Sequence, residues 1–558
     1  MKGAWTRLTR DKRGAVAPTV ALSLVALIAT GGIAFDYARL ATLDSELQNA
    51  ADQAALAGAS QLDGQPQAVA RAVAAAQGLL VNQTRLGNDT CGVNIETGIT
   101  TSACGASTAG ATARIVFYTN KLDAEADTGG IAAGAAVDAT ARFIKVDVVQ
   151  RKANYALTPI VGAISSGNLN AAAVAGLGSA ICKVPPVMIC NPQETSSIKT
   201  FDATGLIGVG LRLVSVGGGN GSWAPGNFGY LDSSGGANGA PGLRQALGWN
   251  TPPGDCQPSN GVDTKPGATV SVTDALNTRF DIYDSNVSCP TGGACGASIN
   301  SVKDVVRPAN ANGGNACKLQ NQGWQEVANA SQYLPTSATS PLAVATVPGS
   351  MGHPRDMCHA VASGTTGECG GPIGNGLWDR DAYFRTHYLR ANGTRWTSAD
   401  WQANTGLSAS VAPTAANYAS RYNVYKWEIT NRATVIDGVS VLGPNPSGAS
   451  GNTLVAYGLP QCSASEGYGS GIVPAPTVVD RRRVSVAVVN CTQQNVNGAA
   501  NNLPVVKYVD AFLVQPSLNR TRTNAGDVYA EVIGETQSGA AGQTAGQVVK
   551  RDTPYLIR

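Results

Sequence analysis

Only three histidines occur in this 558-residue chain: His353, His359 and His387. Two of them lie beside Cys358 and Cys369, so the densest collection of reactive side chain types is between positions 353 and 369. Two chemistries are conceivable there. Glu368-Cys369-Gly370-Gly371-Pro372 has the look of a nucleophile loop with a thiol in place of a serine hydroxyl. Such a nucleophile needs a histidine base, which in the chymotrypsin-like arrangement comes from far upstream, and no histidine precedes His353. His353, Cys358, His359 and Cys369 could instead offer four zinc ligands. Their spacing matches no common finger or ribbon, and a Cys358–Cys369 bridge would compete. The acid pairs Asp379 and Asp381, and Asp281 and Asp284, could hold calcium through carboxylates. Paired acids in loops more commonly form turns. The Gly-rich run from Ser215 to Gly229 lacks the GxxxxGK[ST] order of a phosphate loop, and no helical pattern follows it. Trp223, Phe228 and Tyr230 are either an exposed aromatic patch for a partner or core; core packing is the simpler reading. The reading is therefore of no catalytic set, no cofactor and no metal.

The elements that must position these residues begin with a membrane-type segment. No charge occurs between Arg13 and Asp36, and residues 14–35 are long enough, at about 33 Å as a helix, to cross a hydrocarbon core. Lys2, Arg7, Arg10, Lys12 and Arg13 precede it, whereas Asp36, Asp44, Glu46 and Asp52 follow. The positive-inside rule puts residues 1–13 in the cytoplasm and the bulk of the chain outside. A cleaved leader with a small-residue site near Gly32 and Ala34 is the rival reading. It is disfavoured because Leu40, Leu43, Leu47, Ala50, Ala54 and Ala57 continue a helical stripe past that point. The stripe is either packed on its own domain, the simpler reading, or a seam for a second subunit.

Composition agrees with export. Charged residues are 14% of the chain, Lys plus Arg is 40 against 37 acids, and Gly reaches 66. The net charge of +3 excludes the basic excess of a nucleic-acid binder. All 12 cysteines lie beyond the span, which suits six disulfides in an oxidising compartment. Near neighbours give Cys91–Cys104, Cys182–Cys190, Cys289–Cys295, Cys358–Cys369 and Cys462–Cys491, leaving Cys256–Cys317. The connectivity itself cannot be read from sequence.

Residues 36–76 read as Ala-rich helix, and residues 82–110 as a polar loop. Residues 113–119 and 141–149 alternate like half-buried strands. Beyond Asn191 helical periodicity fades, and turn clusters such as 217–221, 235–241, 251–254, 312–315 and 443–451 separate candidate strands. Those strands are 206–216, 268–272, 422–429, 453–457, 483–490, 505–514 and 527–533. The expected class is α+β: a transmembrane helix at 14–35, an α+β module at 36–181, and a β-rich, disulfide-containing region at 182–558.

The string Arg13-Gly14-Ala15-Val16, the single span, Asp36, and LQNAADQAALAGA at Leu47 to Ala59 together resemble the N-terminal module of TadG-like proteins. These accompany Tad, or Flp-type, pilus machinery in bacteria. Residues 143–149, 157–162 and 171–176, and the strings ICNP at 189–192, WAPGNFGYLD at 223–232 and NTRFDIY at 277–283, extend the likeness more weakly. The resemblance implies a pilin-like module and a non-catalytic, single-pass inner-membrane component whose bulk is periplasmic or extracellular. Its implied partners are pilins, pseudopilins, the secretion platform or an outer-membrane channel, with a homo-oligomer or fibre conceivable. Two departures matter. Prepilin processing after Gly14 would need Glu at the fifth following position, which is Thr19. The von Willebrand A metal string found in some such proteins is broken at Asp232-Ser233-Ser234-Gly235-Gly236, where Gly236 offers no side-chain oxygen. The alternative reading is a signal-anchored extracytoplasmic ligand- or metal-binding protein or enzyme.

Overall fold

The computed structural model describes residues 16–78, 83–89, 115–132, 134, 137–138, 140–148, 150–161, 165–178, 180–182, 186–214, 227–232, 239–250, 256–258, 261–267, 272–284, 295–361, 369, 371–410, 417–462, 480–536 and 553–557. The chain divides into two compact units. One is Met1–Gly178 with Asp552–Arg558; the other is Ser179–Arg551. The expected boundary after 181 thus moves to Gly178, and the last strand belongs with the first unit rather than with the region 182–558.

The first unit is organised by one helix, α1 (Val16–Ala59), 44 residues and about 66 Å long. Ala and Leu favour the helix, and Pro18 sits in its first turn, where a missing N–H is tolerated. Thr19, Ser23 and Thr30 turn their hydroxyls back onto carbonyls three or four residues earlier, so the apolar half leaves those groups hydrogen-bonded within the helix. That half is exposed along its length; Leu22 is 72% exposed. It is the one helix among the described residues long and apolar enough to cross a membrane.

The other half of α1 is buried along one face. Leu43, Leu47, Ala50 and Ala54 sit in a core with Ile115, Phe117, Ile144, Val146, Ala173 and Ala175. The stripe therefore packs on its own unit, with Leu40 and Ala57 half-buried at its ends; these residues do not form a free seam for a second subunit. Alanine lets the backbones approach. At Gly58 an added Cβ would lie 2.6 Å from Ile144 Cδ1 and 3.2 Å from the Ala72 carbonyl of α2 (Ala68–Gly78). The covered sheet is antiparallel. It contains β1 (Ile115–Tyr118), β2 (Ile131–Ala132), β3 (Phe143–Asp147) and β4 (Ala172–Gly178), in the order β4-β3-β1-β2. The strand Thr553–Leu556 pairs with the outer edge of β4.

The second unit is built on a five-stranded sheet. Its strands are β5 (Met188–Cys190), β6 (Gly210–Val214), β7 (Arg483–Val489), β8 (Val505–Leu513) and β9 (Val528–Glu535), in the order β5-β7-β8-β9-β6. Only the β5–β7 pair is parallel. Val484, Val486 and Val488 face a core with Val509, Leu213 and Val532, while Ala487 and Val489 pack with Met188 and Val262 on the other side. A strand covered on both faces reads as a nearly continuous apolar run, as RVSVAVV does.

Helices do not vanish beyond Asn191. The segment expected as strand 422–429 is helix α5 (Arg421–Thr430). Its Tyr, Val and Trp content favours a strand, but the Ser420 side chain accepts from Asn423 N–H and caps a helix, and Val424, Tyr425 and Glu428 bury one helical face. Further helices, α3 (Arg380–His387) and α4 (Ser398–Thr405), precede it, capped by Asp379 and by a Thr397/Asp400 capping box. Most of loop 82–110, strand 268–272 and turns 217–221, 235–241 and 251–254 fall outside the described residues.

The disulfides reach further than expected. Cys190 bonds Cys491 and Cys317 bonds Cys462, across 301 and 145 residues; Cys358 bonds Cys369. These replace the pairings Cys182–Cys190, Cys256–Cys317 and Cys462–Cys491. Sheet pairing accounts for the first: β5 lies parallel to β7, which brings Cys190 opposite Val489, two residues before Cys491. Cys182 and Cys256 are Cα partners in a short antiparallel ladder. Cys91, Cys104 and Cys289 lie outside the described residues; Cys295 is disulfide-bonded.

Candidate functional site

Two places gather polar side chains, one in each unit. The first is a collar around α1 where its exposed half gives way to its packed half. Asp36, 2% exposed, accepts hydrogen bonds from the N–H groups of Ala156, Leu157 and Thr158, at 3.0, 2.9 and 2.7 Å, and from the Thr158 hydroxyl at 2.7 Å. Burial alone would raise this carboxyl. The four donors override it and hold it well below the ordinary carboxylate range. One turn earlier, an added Cβ at Gly32 would lie 2.8 Å from Leu157 Cβ, so the loop lies directly on the helix. Further along, the Arg39 guanidinium donates to the Leu86 carbonyl, and Glu46 accepts from the Thr84 hydroxyl at 2.6 Å and from Arg85 N–H. Residues 83–89 and 150–158 are tied to each other in turn. Asp89 takes two bonds from Arg151 at 2.9 Å, and Asn88 and Asn154 exchange side-chain and backbone bonds. The collar fixes the direction in which the apolar half of α1 leaves its unit, since the Asp36, Arg39 and Glu46 bonds hold two mutually tied loops to named turns of the helix.

The second place is the buried centre of the second unit, and it contains the histidine singled out first. His353 is fully buried. Its Nδ1 lies 3.3 Å from Arg482 Nη2, which donates, so Nε2 carries the proton and faces Tyr383 OH and Glu428 Oε2, each at 3.3 Å. Burial, followed by the Arg482 and Arg421 charges, pushes His353 well below its ordinary value. Glu428, raised by burial, accepts from Tyr383 OH at 2.5 Å and Asn300 Nδ2 at 2.6 Å. Beside it Arg421 bridges Asp356 and Glu531, 2.6 Å from each, with no exposure at the guanidinium.

A His–Glu–Tyr set has the parts for proton transfer, but a substrate must reach it. A cavity of about 20 Å³, room for a water, borders Glu428 and His387. These groups pair with one another, and the Arg421–Glu531 bridge ties helix α5 to strand β9 of the sheet.

The remaining residues nominated by type are paired as follows. Cys369 is bonded to Cys358, so it presents no thiolate. His359 places Nε2 3.0 Å from the Gly371 carbonyl. His387 Nε2 sits 2.6 Å from the Met351 carbonyl. Among the described residues no group of three or more His, Cys, Asp or Glu could hold a metal ion. Asp379 accepts from Ala382 and Leu342 N–H; Asp381 accepts from the Ser398 hydroxyl and Trp401 Nε1; Asp281 accepts from Gln461 and Cys462 N–H. Tyr230 is core, while Trp223 and the side chain of Phe228 lie outside the described residues, as do residues 233–236 and most of the Gly-rich run.

Sequence reasoning missed the Arg421–Asp356–Glu531 bridge. Its one local signal was an acid, Glu531, inside the otherwise apolar strand VYAEVI.

Residues 14–61 match the family described as "Putative Flp pilus-assembly TadE/G-like". No curated protein and no solved structure matches the chain.

Proposed function

We propose that this chain is a non-catalytic, single-pass inner-membrane component of a Tad/Flp-type pilus assembly or secretion system. The observation that carries the reading is where the family match falls. Residues 14–61 coincide with α1, whose first half is apolar and exposed and whose second half is the core of a small α+β unit. A helix of that kind holds a folded unit at a membrane surface. The basic residues before it, read by the positive-inside rule, support a cytoplasmic N-terminus with the chain beyond residue 35 in the periplasm. There the chain makes protein–protein contacts with pilins, pseudopilins, the assembly platform or the outer-membrane channel. Long disulfides suit that compartment. The continuity of α1 through Gly32 and Ala34 supports an anchor that stays attached.

Alkaline extraction and protease treatment of spheroplasts test this. The chain should stay with the membrane pellet at full length, and external protease should remove residues beyond the span while sparing an N-terminal tag. Release into the soluble fraction as a shorter species would defeat the anchor.

A further inference from the structure

The two strands on either side of residues 179–552 are direct neighbours. Gly178, the last residue of β4, is the Cα partner of Thr553, and the ladder runs on through Leu177–Pro554, Gly176–Tyr555 and Ala175–Leu556. The Ile557 N–H then donates to the Val174 carbonyl at 2.8 Å. Partners in an antiparallel ladder lie about 5 Å apart. The chain therefore leaves the first unit and re-enters it at one point, where a two-residue turn would otherwise close a hairpin.

The returning strand also covers something. β4 reads AAVAGLG, with no charge and no proline to discourage another strand from pairing with its edge. Thr553–Leu556 occupies that edge and presents Pro554, which has no N–H, in the new outermost strand. Ile557 packs on Tyr118, Ala124 and Val174, on the face of the sheet away from the α1 core.

We propose that Thr553–Ile557 is a clip: it completes the sheet of the membrane-anchored unit across an insertion, the whole second unit, placed in that sheet's edge hairpin. The first unit then has its full sheet only after residues 179–552 have been made. Until that point β4 is an open edge. This inference stands on topology and does not depend on the pilus reading.

Hydrogen exchange on the full chain in detergent tests it, with two variants. In one, residues 553–558 are deleted. In the other they are moved to follow Gly178 through an Asn-Gly turn, and a flexible Gly/Ser linker then leads to residue 179, so that every residue is retained. The deletion should speed exchange of the β4 amides by about tenfold or more while β7 exchanges as before, and the rearranged chain should restore β4. Unchanged β4 exchange in the deletion, faster β7 exchange in the deletion, or failure of the rearranged chain to protect β4 would each overturn the clip.

Discussion

In the first unit the helix side of the core is mostly Ala and Leu, packed on Ile, Phe, Val and Ala of the sheet, and the buried charges among its described residues, Asp36 and Arg151, are bound in the collar. In the second unit Arg421, Glu531, Asp356, Glu428 and Arg482 are buried, and the Arg482 guanidinium lies over the Tyr425 and Phe512 rings. The first arrangement depends on shape: small side chains let a long helix lie close to a sheet, and a rigid seat for the exposed half of α1 results. The second depends on pairing. A chain so rich in Gly has long irregular segments whose ordering is entropically costly. Buried hydrogen-bonded charges and long-range bridges add to the apolar core in holding those segments in one arrangement.

Substitutions should therefore fail differently in the two units. The largest effect is expected for Arg421→Met, which strands the Asp356 and Glu531 carboxylates in the interior. A loss of about 3–5 kcal/mol follows when one partner of a buried pair is removed. Urea unfolding followed by tryptophan emission should show it, and an unchanged midpoint would break the contrast. Replacing Cys190 and Cys491 together by Ser should cost about 2–5 kcal/mol, again in the second unit, with α1 exchange unaffected.

Acid should also act on the second unit. Burial, opposed by Asp356, lowers His359 from 6.5 to about 4. Between those values the unfolded chain binds a proton that the folded chain does not, so stability falls as the pH falls from 6.5 and the loss is complete by about 4. It amounts to at most about 3 kcal/mol. Thermal melts of wild type and His359→Gln across that window check it: the variant should have the flatter profile.

Gly58→Val should overpack the helix against Ile144 and cost about 1–3 kcal/mol, in the first unit alone. Faster exchange in β7 of that variant would contradict an effect confined to the first unit. The smallest effect, about 1 kcal/mol, is expected for Ser420→Ala, which removes the cap of α5; fraying of residues 421–424 by hydrogen exchange is its readout.

The same contrast explains what the sequence disclosed. The stripe from Leu43 to Ala54 was legible because one helix face meets one core, and the 3,4 spacing records that directly. The strands 483–490, 505–514 and 527–533 were legible from Val and aromatic content. Helix α5 was not, because its residues favour strands and its inward face includes Glu428, so only Ser420 marked it. The Cys190–Cys491 bridge was hidden because its halves are adjacent only once β5 lies beside β7. Near-neighbour reasoning fails for a sheet whose strands come from both ends of a unit. In the collar, Asp36 was visible as the first charge after the span; its partners at 156–158 were not, since backbone N–H groups carry no sequence label. The histidines and acids around 353–381 suggested chemistry by type; in the fold His353, His359 and Asp379 are buried and held by direct pairing, which no sequence spacing records.

The central claim is a role in pilus assembly carried out from the membrane without catalysis. Surface pili counted on cells lacking this chain test it most directly, with complementation by wild type and by the triple variant His353→Phe, His359→Gln, Cys369→Ser as controls. The account predicts loss of pili in the deletion, restoration by the wild type, and restoration by the triple variant wherever membrane levels of the protein match. Normal pilus numbers without the chain, or a triple variant present at wild-type level that assembles none, would contradict it.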